Sequence, residues 1–155
     1  MAPPPTTVAP VRPPLPPTGV PTTAAGRGEG DHPCGVFTVP DIRTVVADVV
    51  RFVAVDGRCR FVRASGSDAA VATIDAYPSD ESAAAGLREA RLALLVDRCR
   101  SAGAGDERYV CVPTSGPVGT VGFVRRARSV LRLDIVAPAD AGRGAELLRI
   151  AAPRL

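Results

Sequence analysis

Arg51-Phe52-Val53-Ala54-Val55-Asp56-Gly57-Arg58-Cys59-Arg60-Phe61-Val62-Arg63 decides how the rest of the chain is read. Asp-Gly is the dipeptide that tolerates positive φ at both central positions of a tight hairpin turn, and here it separates two β-branched, aromatic-rich arms. The second arm alternates. Arg58, Arg60 and Val62 fall on one face while Cys59 and Phe61 fall on the other, so Cys59 is expected on the core side.

Upstream, Thr38-Val39-Pro40-Asp41 reads as a helix start, with Thr38 as cap, proline in the first turn and Asp41 three residues after the cap. Ile42, Val45, Val46, Val49 and Val50 then recur at helical spacing, which predicts a helix running into the hairpin despite its β-branched content. Downstream, the polar turn Ser65 to Asp68 leads into a strand over Ala69 to Tyr77. Pro78-Ser79-Asp80-Glu81 opens a long helix with a stripe of Ala83, Leu87, Ala90, Leu94 and Leu95 that fades near Cys99. A glycine-rich loop, Ser101 to Glu107, precedes a short strand over Arg108 to Val112, and Thr114 to Pro117 turns the chain. Val118 to Val136 is too long for one strand and splits near Arg126 to Arg128 into a hairpin, with Val121 and Phe123 on one arm and Leu131, Leu133 and Ile135 on the other. Asp140 caps a last helix that turns Leu147, Leu148 and Ala151 inward. The order predicts an α+β fold: a mainly antiparallel sheet of about five strands against two or three helices.

Composition divides the chain. Residues 1–31 carry more than half of its sixteen prolines and no stretch able to build a core, which predicts a disordered tether in extended polyproline geometry. Residues 32–155 form the expected domain, and about 120 residues suffice to bury roughly two thirds of their unfolded surface. The net charge of +3 is small, and all nineteen basic residues are arginine, a uniformity that reads as coding bias. With no tryptophan and few aromatics to stack bases, no nucleic acid partner is expected.

Four cysteines, Cys34, Cys59, Cys99 and Cys111, form an even set with no C-x-x-C spacing, and His32 is the lone histidine. Two disulfides fit this pattern better than buried thiols or a zinc site, whose ligands normally come in close pairs. Three connectivities are open. Cys34 with Cys59 and Cys99 with Cys111 suit the layout best, the first tying the start of the first helix to the hairpin, the second tying the end of the long helix to the next strand. Disulfides imply an oxidising compartment, yet residues 1–25 hold neither a basic n-region nor an apolar h-region. The compartment argument therefore expects a targeting or anchor segment that this sequence does not include.

Catalytic constellations are weakly suggested. His32 with Ser65, Ser115 or Cys34 lacks the G-x-S-x-G elbow that would orient a nucleophile. Asp80 with Glu81 and Asp106 with Glu107 read as helix-start and loop residues. Gly26 to Gly30 and Gly103 to Gly105 lack the strand-loop-helix context of a phosphate loop. Arg125, Arg126, Arg128 and Arg132 form the one basic cluster, joined by Arg58, Arg60 and Arg63 if their strands are neighbours. A solvated sheet face and contact with an anionic ligand are the two readings of it.

His32-Pro33-Cys34-Gly35-Val36-Phe37-Thr38 resembles the Asp-Pro-Cys, two apolar residues and Thr that open an uncharacterised domain of actinobacterial cell-envelope lipoproteins, with His32 in place of Asp. The resemblance continues through Cys59, Phe61 and the long helix to the closing hairpin and helix. The layout is similar also to extracytoplasmic sensor domains of actinobacterial serine/threonine kinases. Either resemblance implies an export-compartment module without established catalysis, near a membrane through an anchor. The expectation is a monomeric, non-enzymatic binding or sensing module with no cofactor and an unidentified envelope ligand or protein as partner. A kinase ectodomain is the first alternative and a small secreted hydrolase the second.

Overall fold

The computed structural model describes residues 32–94, 99–103 and 107–155. The tether predicted over residues 1–31, with the glycines at 26–30, lies outside the described residues. So do Leu95, the end of the predicted helical stripe, and Asp106.

The fold is α+β. Its elements are α1 (Pro33–Val36), α2 (Val39–Arg43), β1 (Val49–Val55), β2 (Arg58–Arg63), β3 (Asp68–Ala76), α3 (Asp80–Ala93), β4 (Cys99–Ser101), β5 (Glu107–Cys111), β6 (Thr120–Arg126), β7 (Ser129–Ile135) and α4 (Ala141–Ala151), closed by a 3-10 turn over Ala152–Arg154. The strands form one seven-stranded sheet in the order β1-β2-β3-β7-β6-β5-β4, every neighbour antiparallel. It is two meanders joined along one seam. After β3 the chain runs through α3 to the far edge of the sheet, starts again at β4, and returns strand by strand until β7 pairs with β3.

The sheet is thus wider than the five strands expected, and four helices are present among the described residues. β4 is the strand missed: three residues held opposite β5, with Cys99 facing Cys111. The first helix is also shorter than predicted. α2 ends at Arg43 and Val49 already opens β1, buried against the core with its carbonyl accepting from Arg43 Nε at 2.5 Å. The β-branched run from Val45 to Val50 lacks the tertiary support a helix of low propensity needs, and the sheet edge offers it a better use.

Local chemistry sets the start of each helix. The Thr38 hydroxyl accepts from Asp41 N–H at 3.2 Å while the Asp41 carboxylate accepts from Thr38 N–H at 2.8 Å, a reciprocal capping box. Ser79 and Ser82 do the same for α3, and Asp140 caps α4 through Arg143 N–H. His32 caps α1: its Nδ1 accepts from Cys34 N–H at 3.1 Å, a task more often given to a side-chain oxygen. The Asp56-Gly57 turn forms as expected, with φ of 49° and 73° and Val55 opposite Arg58.

Two hydrophobic clusters fill the two faces of the sheet. α1, α2 and α4 cover one face, where Phe37 meets Phe61 edge-on at 6.4 Å among Ile42, Val49, Leu131, Leu133, Leu147 and Leu148. α4 lies close upon β6 because Gly122 has no side chain; a Cβ there would sit 2.7 Å from Leu148 Cδ2. On the other face α3 packs Ala83 and Leu87 against Cys111, Val121, Phe123 and Val130. That second cover is partial: α3 packs on β6 and β7, and among the described residues no helix packs comparably on β1, β2 and β3 on that side.

Asp41 is a pH-sensitive joint between α2 and the 3-10 turn that follows α4. Burial pushes its carboxyl up, but the Thr38 N–H and the Arg154 guanidinium, 2.7 Å away, together hold it below the ordinary aspartate range. A depressed folded value contributes stability that is complete above the unfolded pKa of about 4 and is lost as pH falls through the lower folded one. Thermal unfolding followed from about pH 6 to about pH 2 is expected to show a steeper acid loss for the native chain than for Asp41→Asn. Equal acid slopes for the two proteins would remove Asp41 from this role.

Candidate functional site

The half of the sheet that no helix covers among the described residues is the place where function has room. Alternation places Val53, Val55, Arg58, Arg60, Val71, Thr73, Asp75, Arg132 and Asp134 on it. Cross-strand register then orders them into rows. One row runs Val55, Arg58, Thr73, Arg132, Phe123 and Tyr109 from β1 to β5; the next runs Val53, Arg60, Val71, Asp134, Val121 and Cys111. Each row begins in the open and ends beneath α3.

A groove of about 600 Å³ follows the first row, bordered by Asp56 and Arg58 at the hairpin end, floored by Val71 and Thr73, and closed by Asp75, Arg132 and Asp134. A second hollow of about 440 Å³ shares Arg58, Val71, Arg132 and Asp134 with it and extends to Leu94, Pro113 and Ser115. The two make one trough between the β1-β2 turn and the end of α3.

The charges in this trough are partly committed. Arg132 holds Asp134 with Nε 3.0 Å from both carboxylate oxygens and lies 5.9 Å from the Phe123 ring centroid. Arg60, in a neighbouring hollow beside Arg58, holds Asp68 in the same way, with its Nη2 2.8 Å from Oδ1. Such two-pronged contacts fix both partners and leave each guanidinium little freedom. Arg58, by contrast, forms no ion pair among the described residues and is exposed in the trough.

The predicted basic cluster is dispersed. Consecutive strand residues must face opposite ways, so Arg125 and Arg126 separate. Arg125 lies on the α3 side, its Nε 2.5 Å from Glu107 Oε2, and that carboxylate hydrogen bond raises its pKa. Arg126 reaches from the other face to the Ala152 carbonyl at 3.0 Å. Arg128 is exposed in the β6-β7 turn. Of the four only Arg132 borders the trough, where β3 brings it into one row with Arg58. Arg63 is spent on Asp48 and on the carbonyls of Asp68 and Val136. The row joining Arg58 to Arg132 was out of reach of the sequence, because it depends on β3 pairing with a strand more than fifty residues away.

The other candidates do not come together with one another. His32 caps α1, Ser65 bonds Ser67 in the β2-β3 turn, and Ser115 sits in the β5-β6 connection. Asp80 and Glu81 occupy the first turn of α3, and Glu107 answers Arg125. Cys34 is joined to Cys59 with a Cα separation of 5.0 Å, and Cys99 to Cys111 with 4.1 Å. The second bridge joins two directly paired strands rather than a helix end to a strand. Two disulfides are consistent with an extracytoplasmic location, and no helix among the described residues is long and apolar enough to cross a membrane. Searches against protein families and against curated proteins find no match to this chain.

Proposed function

We propose that this chain is an export-compartment binding or sensing module without a catalytic centre, and that its trough takes a small ligand carrying one anionic group beside a donor group. The observation that carries this reading is the guanidinium of Arg58, without an ion pair among the described residues, at the rim of a trough whose other arginine, Arg132, is tied to Asp134. An anionic group supplies the partner Arg58 lacks. Asp56 and Asp75 border the same groove, so a polyanion meets repulsion there while a ligand with an ammonium or amide donor meets acceptors. The Asp56-Gly57 turn and the row pairing hold these groups on rigid strands, which reduces the ordering needed on binding. The two disulfides and the resemblance of the His32 to Thr38 opening to envelope lipoproteins support the compartment.

The test is an NMR titration of the oxidised full chain with two probes, alanyl-alanine as a zwitterion and succinate as an anion alone. The dipeptide is expected to shift the resonances of Arg58, Thr73 and Asp75 at millimolar concentrations, a range suited to a small unoptimised probe. Arg58→Glu is expected to weaken that response about tenfold or more by replacing attraction with repulsion. Shifts that ignore the trough, or an Arg58→Glu response equal to that of the native chain, would overturn the reading.

A further inference from the structure

The trough changes character along its length. Its hairpin end presents Arg58, which has no ion pair among the described residues, with Asp56 and Asp75 nearby. Its middle is occupied by Arg132 and Asp134 on β7, joined through Nε and Nη2 of the arginine. Its far end is apolar: Leu94 follows the last turn of α3, Pro113 and Val118 stand in the β5-β6 connection, and Val121 and Val136 come from the sheet side. Leu94 and Val118 are only partly buried, packing on the smaller cluster while also lining the hollow.

Each part suits a different chemistry. A lone guanidinium takes a carboxylate. The Arg132–Asp134 pair is neutral as a whole and gains little from a further charge, yet neither partner is exhausted: the guanidinium keeps donors on Nη1 and the carboxylate keeps lone pairs. A donor beside an acceptor matches a peptide amide, which offers one of each. The apolar end takes a hydrocarbon side chain. Length sets the spacing between these groups. From β2 to β6 is three strand spacings, about 14 Å. An extended peptide covers about 7 Å of this in two residues, and the reach of Arg58 and of the ligand's own side chain supplies the rest. Side chains two apart also point the same way, so a small last residue over Val71 and Thr73 and an apolar one over the far hollow face the floor together.

We infer that the trough takes the C-terminal end of a peptide: the free carboxylate on Arg58, the amide groups across Arg132 and Asp134, and an apolar side chain two residues before the end in the hollow beside Leu94 and Val118. The inference rests on the anionic-ligand reading of Arg58 and adds the class of ligand to it. Such a peptide has amides where the floor is polar and hydrocarbon where it is not. A fatty acid instead lays hydrocarbon over the ion pair and leaves its polar atoms without partners. A polyanion meets Asp56, Asp75 and Asp134.

The experiment is an NMR titration of the oxidised full chain with four probes: N-acetyl-leucyl-alanyl-alanine, N-acetyl-alanyl-alanyl-alanine, the C-terminal amide of the leucyl peptide, and decanoate. The leucyl acid is expected to bind about fivefold tighter than the alanyl acid, from three further carbons partly removed from water, and to add shifts at Leu94 and Val118 to those at Arg58 and Thr73. Its C-terminal amide is expected to bind about tenfold more weakly than the acid. Leu94→Ala is expected to bring the leucyl-to-alanyl ratio to about two or below, an effect on selectivity that a loss of stability alone does not produce. Circular dichroism and thermal unfolding show whether that variant is folded, and Val118→Ala makes the same comparison if it is not. A ratio near one in the native chain overturns the inference, and leaves the wider reading standing where the alanyl acid still shifts Arg58. Silence toward both acids also overturns it, and alanyl-alanine then decides the wider reading by itself. Decanoate binding as tightly as the leucyl acid would assign the trough to an acyl chain instead. Resonances of residues 1–31 that move in step with those of the trough would assign it to the chain's own segment.

Discussion

Replacing Cys34 and Cys59 together by alanine is expected to lower the free energy of unfolding by about 3.5 kcal/mol, the chain-entropy value for a closed loop of 25 residues. The loss is not purely a matter of the unfolded chain. α1 is a single turn and α2 scarcely longer, too short to persist without tertiary support, and the bridge is what pins that segment over Phe61 and β2. Cys99 and Cys111 are separated by 12 in sequence, so the same model gives about 2.8 kcal/mol for their removal. Denaturant unfolding of the two double variants checks both the sizes and the order. If the shorter loop proved the more costly, local packing under α3 would outweigh loop entropy. Far-UV spectra should also differ, with helix signal lost only when the first bridge is removed.

Phe123→Ala is expected to cost about 4 kcal/mol. Phe123 is fully buried and is the one phenylalanine of the smaller cluster, where Ala83 and Leu87 of α3 and Val121 and Val130 of the sheet meet it. Two of those neighbours come from a helix that lies on half a sheet, so a cavity there loosens the docking of α3 rather than being filled by collapse of a large core. The substitution also removes the ring beside Arg132. Calorimetry reads the stability, and Arg132 Nε resonances read the second effect: greater mobility of that guanidinium is expected even where the variant is folded. A cost below about 1 kcal/mol would show that α3 is held by its caps and not by this contact.

Those two sites differ in how far the sequence announces them. Cys59 and Phe61 are legible because a six-residue arm after Asp-Gly alternates without interruption, and strict alternation has one structural meaning. The caps at Thr38 and Asp140 are legible because each is a local hydrogen-bond preference, and the start of α3 at Pro78 to Glu81 is legible in the same way. Val45 to Val50 misleads because β-branched residues spaced three and four apart satisfy a helical stripe and a buried strand edge alike. Only the packing of Val49 beside Arg43 decides between them. β4 escapes detection because three residues carry no period at all, and Cys99 is held in a strand by its partner Cys111 and not by its neighbours in sequence. The trough depends on pairing at longer range still. Nothing near Arg58 indicates that Thr73, and beyond it Arg132, will complete its row. Arg125 and Arg126, adjacent along the chain, look like a cluster there but must part, because a strand turns successive side chains to opposite faces.

The Cys34–Cys59 bridge has a mechanical meaning as well. A pull transmitted along residues 1–31 enters the fold at Cys34 and passes directly through sulfur into β2, bypassing everything between the two cysteines. The bypassed segment has a sequence separation of 25, roughly 80 to 90 Å of chain when extended, and includes the end of α1, all of α2 and β1. While the bridge is intact that length cannot be drawn out. Tension therefore reaches the interior of the sheet before it can peel the β1 edge from its neighbour, and in the oxidised protein an N-terminal load is carried by several strands at once.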